Sequence, residues 1–163
     1  MSTFTTCQTP LAPDRPAPAS PHTLSYSLTL PGEAYGAAVA RSAVAAALHA
    51  HHLDPLAQAA AQVTGELVAA AWRVAPGEDH YLSVRYRDAS LRLIVYDAHA
   101  VHTQPRLAGL CEARRRATLR LLGAVVRECG GDWGFGPSRE PGGGTRTWAS
   151  LPHTGAAAFG AAA

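Results

Sequence analysis

The stretch from Tyr81 to Asp97 limits what this chain can fold into more than any other. Y-L-S-V-R-Y-R (81–87) and L-R-L-I-V-Y-D (91–97) are short runs rich in Leu, Val, Ile and Tyr, and only Asp88-Ala89-Ser90 lies between them. Such runs mark strands, and so short a link joins them as an antiparallel hairpin. Upstream, L-S-Y-S-L-T-L (24–30) alternates strictly and reads as a half-buried strand ended by Pro31-Gly32. Between these strands the period changes. Ala-rich residues Glu33 to Leu53, with Val39, Val44 and Leu48 as the larger apolar members, predict one helix. Asp54 at an N-cap position and Pro55 behind it open a second, which carries Leu56, Ala60, Val63, Leu67 and Val74 and stops at Pro76-Gly77.

After the hairpin, residues 98–110 show no period and read as a loop. A third helix is expected from about Glu112 to Cys129, with Leu119, Leu122, Val126 and Cys129 as its stripe and Gly130-Gly131 closing it. A short strand around Trp133 to Phe135, a Gly-rich turn at 142–144 and a last strand, T-R-T-W-A-S-L, follow. The order β-α-α-β-β-α-β-β describes an α+β fold: a two-layer α/β sandwich, its sheet mixed or antiparallel, with helices on one face. Five prolines among small polar residues make 1–22 a disordered arm, so the folded domain is expected over 23–152. The low-complexity run T-G-A-A-A-F-G-A-A-A places a disordered tail at 153–163.

Composition narrows the classes. The 163 residues are 47% hydrophobic, enough for one core, and no apolar run reaches membrane-spanning length. The N-terminus lacks the basic-then-apolar order of a secretory signal, which suggests a cytoplasmic protein. All 14 basic residues are Arg, but a formal charge of +2 is too mild to name nucleic acid as the main partner. Cys7, Cys111 and Cys129 have no C-x-x-C spacing and no even count, as expected of reduced thiols.

One helical stripe stands out. In E-L-V-A-A-A-W-R, Glu66 and Arg73 lie two turns apart on one face with Ala70 between them. Such a stripe is either a solvated edge or the wall of a pocket. Taken with the element order, an Asp ending the strand before a long loop, and the closing D-W-G-F-G-P…P-G-G-G-T-R-T-W-A-S-L-P, it resembles the histidine-kinase-like (GHKL) ATPase domains. The similarity is greatest to the small anti-sigma-factor serine kinases of actinobacteria, over residues 24–152.

That resemblance implies ATP and Mg²⁺ as cofactors. It places Glu66 as the catalytic base, Ala70 where the family has its metal-binding Asn, Arg73 at a basic nucleotide-site position, Asp97 as acceptor for the adenine amino group, and Thr145 in the nucleotide site. The pattern departs from the family in three places. Ala70 offers Mg²⁺ no oxygen. His99 stands where a small residue follows Asp97. No glycine lies between Leu110 and Gly123, so the phosphate-gripping turn is missing, although Arg114, Arg115 or Arg116 would supply charge. The expected function is therefore regulation through a protein partner such as a sigma factor or an anti-anti-sigma factor, with nucleotide binding weakened or lost. The alternative is an active ATP-dependent protein serine/threonine kinase of the same family, and a homodimer fits either reading.

Other features read as ordinary. His49, His51 and His52 suit the C-terminal end of a helix dipole. They and the pair His99 and His102 lack a Cys or carboxylate set in sequence, so no metal site is expected. R-R-R-A-T-L-R reads as a solvated face and a nucleic-acid partner is not expected; Ser83 and Ser90 have no His-Asp pattern, and G-P-S-R-E-P-G-G-G-T reads as a hairpin turn.

Overall fold

In the computed structural model, which describes residues 18–139 and 143–161, the expected hairpin is formed by β2 (His80–Arg87) and β3 (Ser90–Asp97). Its turn is tighter than the sequence suggests: Arg87 pairs with Ser90, leaving two residues, Asp88 and Ala89, both at positive φ. That is the backbone twist a two-residue hairpin prefers. Ala89 has no glycine's freedom at φ 52°, but its carbonyl accepts a hydrogen bond from the His153 backbone at 2.8 Å, which holds the turn.

β1 (Ser25–Leu30) pairs with β2, β5 (Thr145–Pro152) pairs with β3, and β4 (Asp132–Pro137) pairs with β5. The sheet runs β1-β2-β3-β5-β4 and every pairing is antiparallel. One face carries Leu82, Val84, Tyr86, Leu91, Leu93, Val95, Ala149 and Leu151, all buried. Helices α1 (Gly36–Ala50) and α2 (Ala57–Val74) form the second layer, α2 following a single 3-10 turn at Asp54–Leu56. The fold is thus the expected α+β two-layer sandwich, and no helix among the described residues is long and apolar enough to cross a membrane.

The opposite sheet face is uncovered and polar. Arg85 sits directly across from Arg92, whose guanidinium lies 5.7 Å from the Trp148 ring. The strand expected at 24–30 is β1, at one edge of the sheet, and it is less buried than its alternation suggests: along it only Leu30 is buried, with Leu28 half-buried.

Three expectations need correction. Residues 98–110 are not all loop, since α3 begins at Pro105 and runs to Thr118. Its start is set by Pro105 at the first position and by Gln104, whose side chain accepts from the Leu107 backbone N–H at 2.7 Å. The third helix is also two helices, because α4 (Arg120–Glu128) follows after a break at Leu119. Thr118 Oγ1 donates back to the Arg114 carbonyl at 3.0 Å, a bond known to bend helices.

The third correction concerns the 153–163 tail, most of which is a helix, α5 (His153–Ala161); residues 162–163 and 1–17 of the arm lie outside the described residues. Alanine is the best helix former, and this repetitive run needed only a surface to dock on. Ala156 is fully buried, Phe159 packs on the core, and His153 Nδ1 lies 2.9 Å from the Tyr86 hydroxyl. Gly155 lets α5 approach the end of α4: a Cβ there would stand 1.9 Å from the Cys129 carbonyl oxygen. Gly155→Ala is therefore expected to destabilise the fold by about 1–3 kcal/mol, the usual range for overpacking, as read from the urea midpoint.

Candidate functional site

Along β3, the residues facing the helices are Leu91, Leu93, Val95 and then Asp97. A carboxylate at the end of an apolar row is a buried charge, 4% exposed, and it requires partners. α3 supplies them. Ala108, Cys111, Arg115 and Leu119 fall at helical spacing on one face, and Arg115 reaches inward until its residue is only 5% exposed. Arg115 Nη1 donates to Asp97 Oδ2 at 2.8 Å and Nη2 to Oδ1 at 3.3 Å, a two-pronged ion pair. Nη1 also donates to Thr147 Oγ1 at 3.1 Å, and the Phe135 ring lies 5.8 Å from the guanidinium carbon.

The loop leaving β3 is tethered at its start. The His99 backbone N–H donates to Asp97 Oδ1 at 3.1 Å, and the His99 carbonyl accepts from Thr145 Oγ1 at 3.0 Å. Asp97 and Thr145 are register partners across β3 and β5. Gly144, at φ +88°, makes that closure possible, since a Cβ there would be 2.2 Å from the Asp97 carbonyl oxygen. Together these elements enclose a cavity of about 300 Å³ under the loop. Val101, Ala108, Phe135 and Pro137 give it apolar walls, and His99, His102, Cys111 and the Glu112–Arg116 pair give it polar ones.

The structure brings together some of the expected site residues. Asp97 and Thr145 are paired at the ends of β3 and β5, and Thr145, but not Asp97, lines the cavity. Both are already engaged, however: the Asp97 carboxylate that was to await an adenine amino group accepts from Arg115 and His99 instead. Ala70 is 2% exposed and belongs to the core, so its position does not open onto the cavity. Arg73 is exposed and borders a smaller space of about 90 Å³ with His99, Cys111, Arg114 and Arg115. Glu66 is half-buried, lines neither space, and makes no hydrogen bond or ion pair among the described residues.

Sequence reasoning missed Cys111 and Thr147 as site residues and weighed Arg115 only as a phosphate contact. The available signal was the spacing of Ala108, Cys111, Arg115 and Leu119, hidden by reading the helix as starting at Glu112. No protein-family model matches the chain, and no curated protein is similar to it in sequence.

Two expectations follow from the electrostatics. Arg115→Ala leaves the Asp97 carboxylate buried without its partner and is expected to cost about 3–5 kcal/mol, measured by urea unfolding. The double change Arg115→Met with Asp97→Leu, which removes both charges and restores volume, should cost much less. His80 is 1% exposed, and neither ring nitrogen has a hydrogen-bond partner among the described residues. Burial pushes its pKa down from the ordinary histidine value, against a smaller opposing pull from Asp97 and Asp79. The unfolded chain therefore takes up the proton first, so the folded state keeps full stability above about pH 6.5 and loses it as pH falls. Between about pH 7.5 and pH 5, His80→Leu should lose less stability than the parent protein.

Proposed function

We propose that this domain is a regulator of the anti-sigma-factor type, with a histidine-kinase-like scaffold, that acts by binding a protein and not by using ATP. The observation that carries this reading is the Arg115–Asp97 pair: an internal guanidinium occupies the acceptor an adenine would use. Closing the same seat again, Thr145 is turned to the His99 carbonyl and position 70 is sealed in the core. A nucleotide would have to break a buried ion pair before gaining one hydrogen bond, and charged hydrogen bonds are worth roughly 1.5–3 kcal/mol each.

The surface best suited to a protein partner lies between β1 and α1. Tyr26 and Leu28 on one side and Ala43, Ala46, Ala47 and Ala50 on the other line an apolar groove of about 260 Å³ floored by Val44 and Val84. Tyr26 is 43% exposed and stands on the sheet's edge strand. Sigma factors and anti-anti-sigma proteins are the partners the resemblance favours, in the cytoplasm.

Glu66 is the observation in favour of the kinase reading, since it is unpaired among the described residues and partly accessible on α2. Calorimetric titration with Mg-ATP distinguishes the two. No binding at millimolar ATP is expected, and no rise in Tm, whereas a ligand at 100 times its Kd adds about 2.7 kcal/mol. Binding of a sigma or anti-anti-sigma protein should persist in EDTA without nucleotide and be lost in Ala46→Arg, an exposed groove position. Transfer of phosphate from ATP to such a partner, abolished by Glu66→Gln, would sink the regulatory reading and establish the kinase.

A further inference from the structure

We infer that His99, His102 and Cys111 form a binding site for a zinc-class divalent metal with one coordination position open to the cavity. Their ligand atoms all lie within 4.8 Å of one another, and they are the one such grouping of three among the described residues. The sequence hid this set because the cysteine lies nine residues beyond the second histidine, on α3. The histidine rings meet edge to face with centroids 5.3 Å apart, and all three residues are partly buried.

The chemistry of the donors selects the metal. Two imidazole nitrogens and a thiolate suit Zn²⁺ or Co²⁺ and not Mg²⁺ or Ca²⁺, which require oxygen. Zinc bonds of about 2.0–2.1 Å to nitrogen and about 2.3 Å to sulfur place tetrahedral ligands roughly 3.3–3.7 Å apart. The side chains therefore need to close by about an ångström, within the reach of χ rotation in His102 and Cys111. His99 starts from a fixed backbone, since its N–H is held by Asp97 and its carbonyl by Thr145. Cys111 is carried by a helix whose entry is fixed by Gln104 and Pro105.

The neighbouring charges do not forbid a cation. Arg115 is matched by Asp97 and Arg116 by Glu112, so the two guanidiniums that border the main cavity are each neutralised locally. Arg73 and Arg114 are solvent-exposed at the smaller space behind, where water and salt screen them. Binding exchanges the thiol proton of Cys111 for the metal and releases it to solvent. Three protein ligands leave a fourth position facing the apolar-walled cavity, for water or for a donor brought from outside. This inference does not depend on how nucleotide behaves, because it uses only the loop and α3.

Full-length protein stripped of metal and titrated with Co²⁺ provides the test. One equivalent should produce the intense visible bands of tetrahedral cobalt and a thiolate-to-cobalt charge-transfer band, both erased by added Zn²⁺. Cys111→Ser should remove the charge-transfer band, and His102→Ala should weaken binding by at least about 10-fold, since even outer-shell changes do so. Both side chains lie outside the apolar core, and far-ultraviolet circular dichroism confirms that each variant is folded. Cys7→Ser, Cys129→Ser and His49→Ala should leave the spectrum as it is. A weak octahedral spectrum without charge transfer, or a signal that survives Cys111→Ser, or one that disappears with Cys7→Ser, Cys129→Ser or His49→Ala, overturns the inference.

Discussion

α2 is the element against which the rest of the molecule is assembled, and its small residues make that possible. Ala59, Ala60, Gly65, Ala70 and Ala71 are buried along it, while Val63, Leu67 and Val68 supply the apolar bulk. Small side chains let neighbouring elements come close, and α2 packs against α1, α4, α5 and strands β2, β3 and β5. At Gly65 the absent side chain leaves room for Arg41 of α1, whose guanidinium would stand 3.1 Å from a Cβ. A larger residue on any of these faces would separate the layers and open voids that a close-packed interior does not tolerate. The same closeness explains why position 70 is sealed: burying it helps hold the core together, and the fold gives up an opening there.

The second constraint is electrostatic and follows from the first. With the helical layer drawn tightly onto the sheet, the inward row of β3 ends in a carboxylate that has little access to water. An isolated buried anion is expensive, so the segment after β3 has to return a cation to it. The chain does this by folding residues 105–118 into a helix and sending Arg115 inward. Once that pair forms, Thr145, Thr147, the His99 backbone and the Phe135 ring all acquire partners around it. The loop after β3 is thereby fastened to the sheet.

Much of the fold was legible from local pattern. The apolar, β-rich runs with a short link located β2 and β3, and Pro76-Gly77 marked the end of α2, because such signals are properties of neighbouring residues. Asp54 does not cap α2: it lies in a 3-10 turn with its carboxylate on His49, and α2 begins at Ala57. What escaped was fixed over distance. The α5 run has no amphipathic pattern of its own, and its helix is secured by Tyr86, the Ala89 carbonyl and contact with α2 and the 3-10 turn before it. The start of α3 depends on Gln104, an uncommon cap, so the helix reads as beginning seven residues late and Arg115 loses its place on the inward face. In the candidate site, the sequence placed Asp97 at a strand end, and the structure pairs it there with Thr145. The partner of Asp97, eighteen residues away, was not.

The tethered loop and the helix that follow β3 limit what this place can bind. A glycine turn serves a nucleotide because its backbone N–H groups are free and its conformation is cheap to alter. In residues 98–118 the His99 N–H and carbonyl are both bonded, and the helical N–H groups beyond Leu107 are directed along their own helix. The side chains presented to the cavity include imidazoles, a thiol and paired charges. Such a surface is rigid in its frame and adjustable only at side-chain tips. That suits a small number of directional bonds to a compact ligand or a partner's side chain.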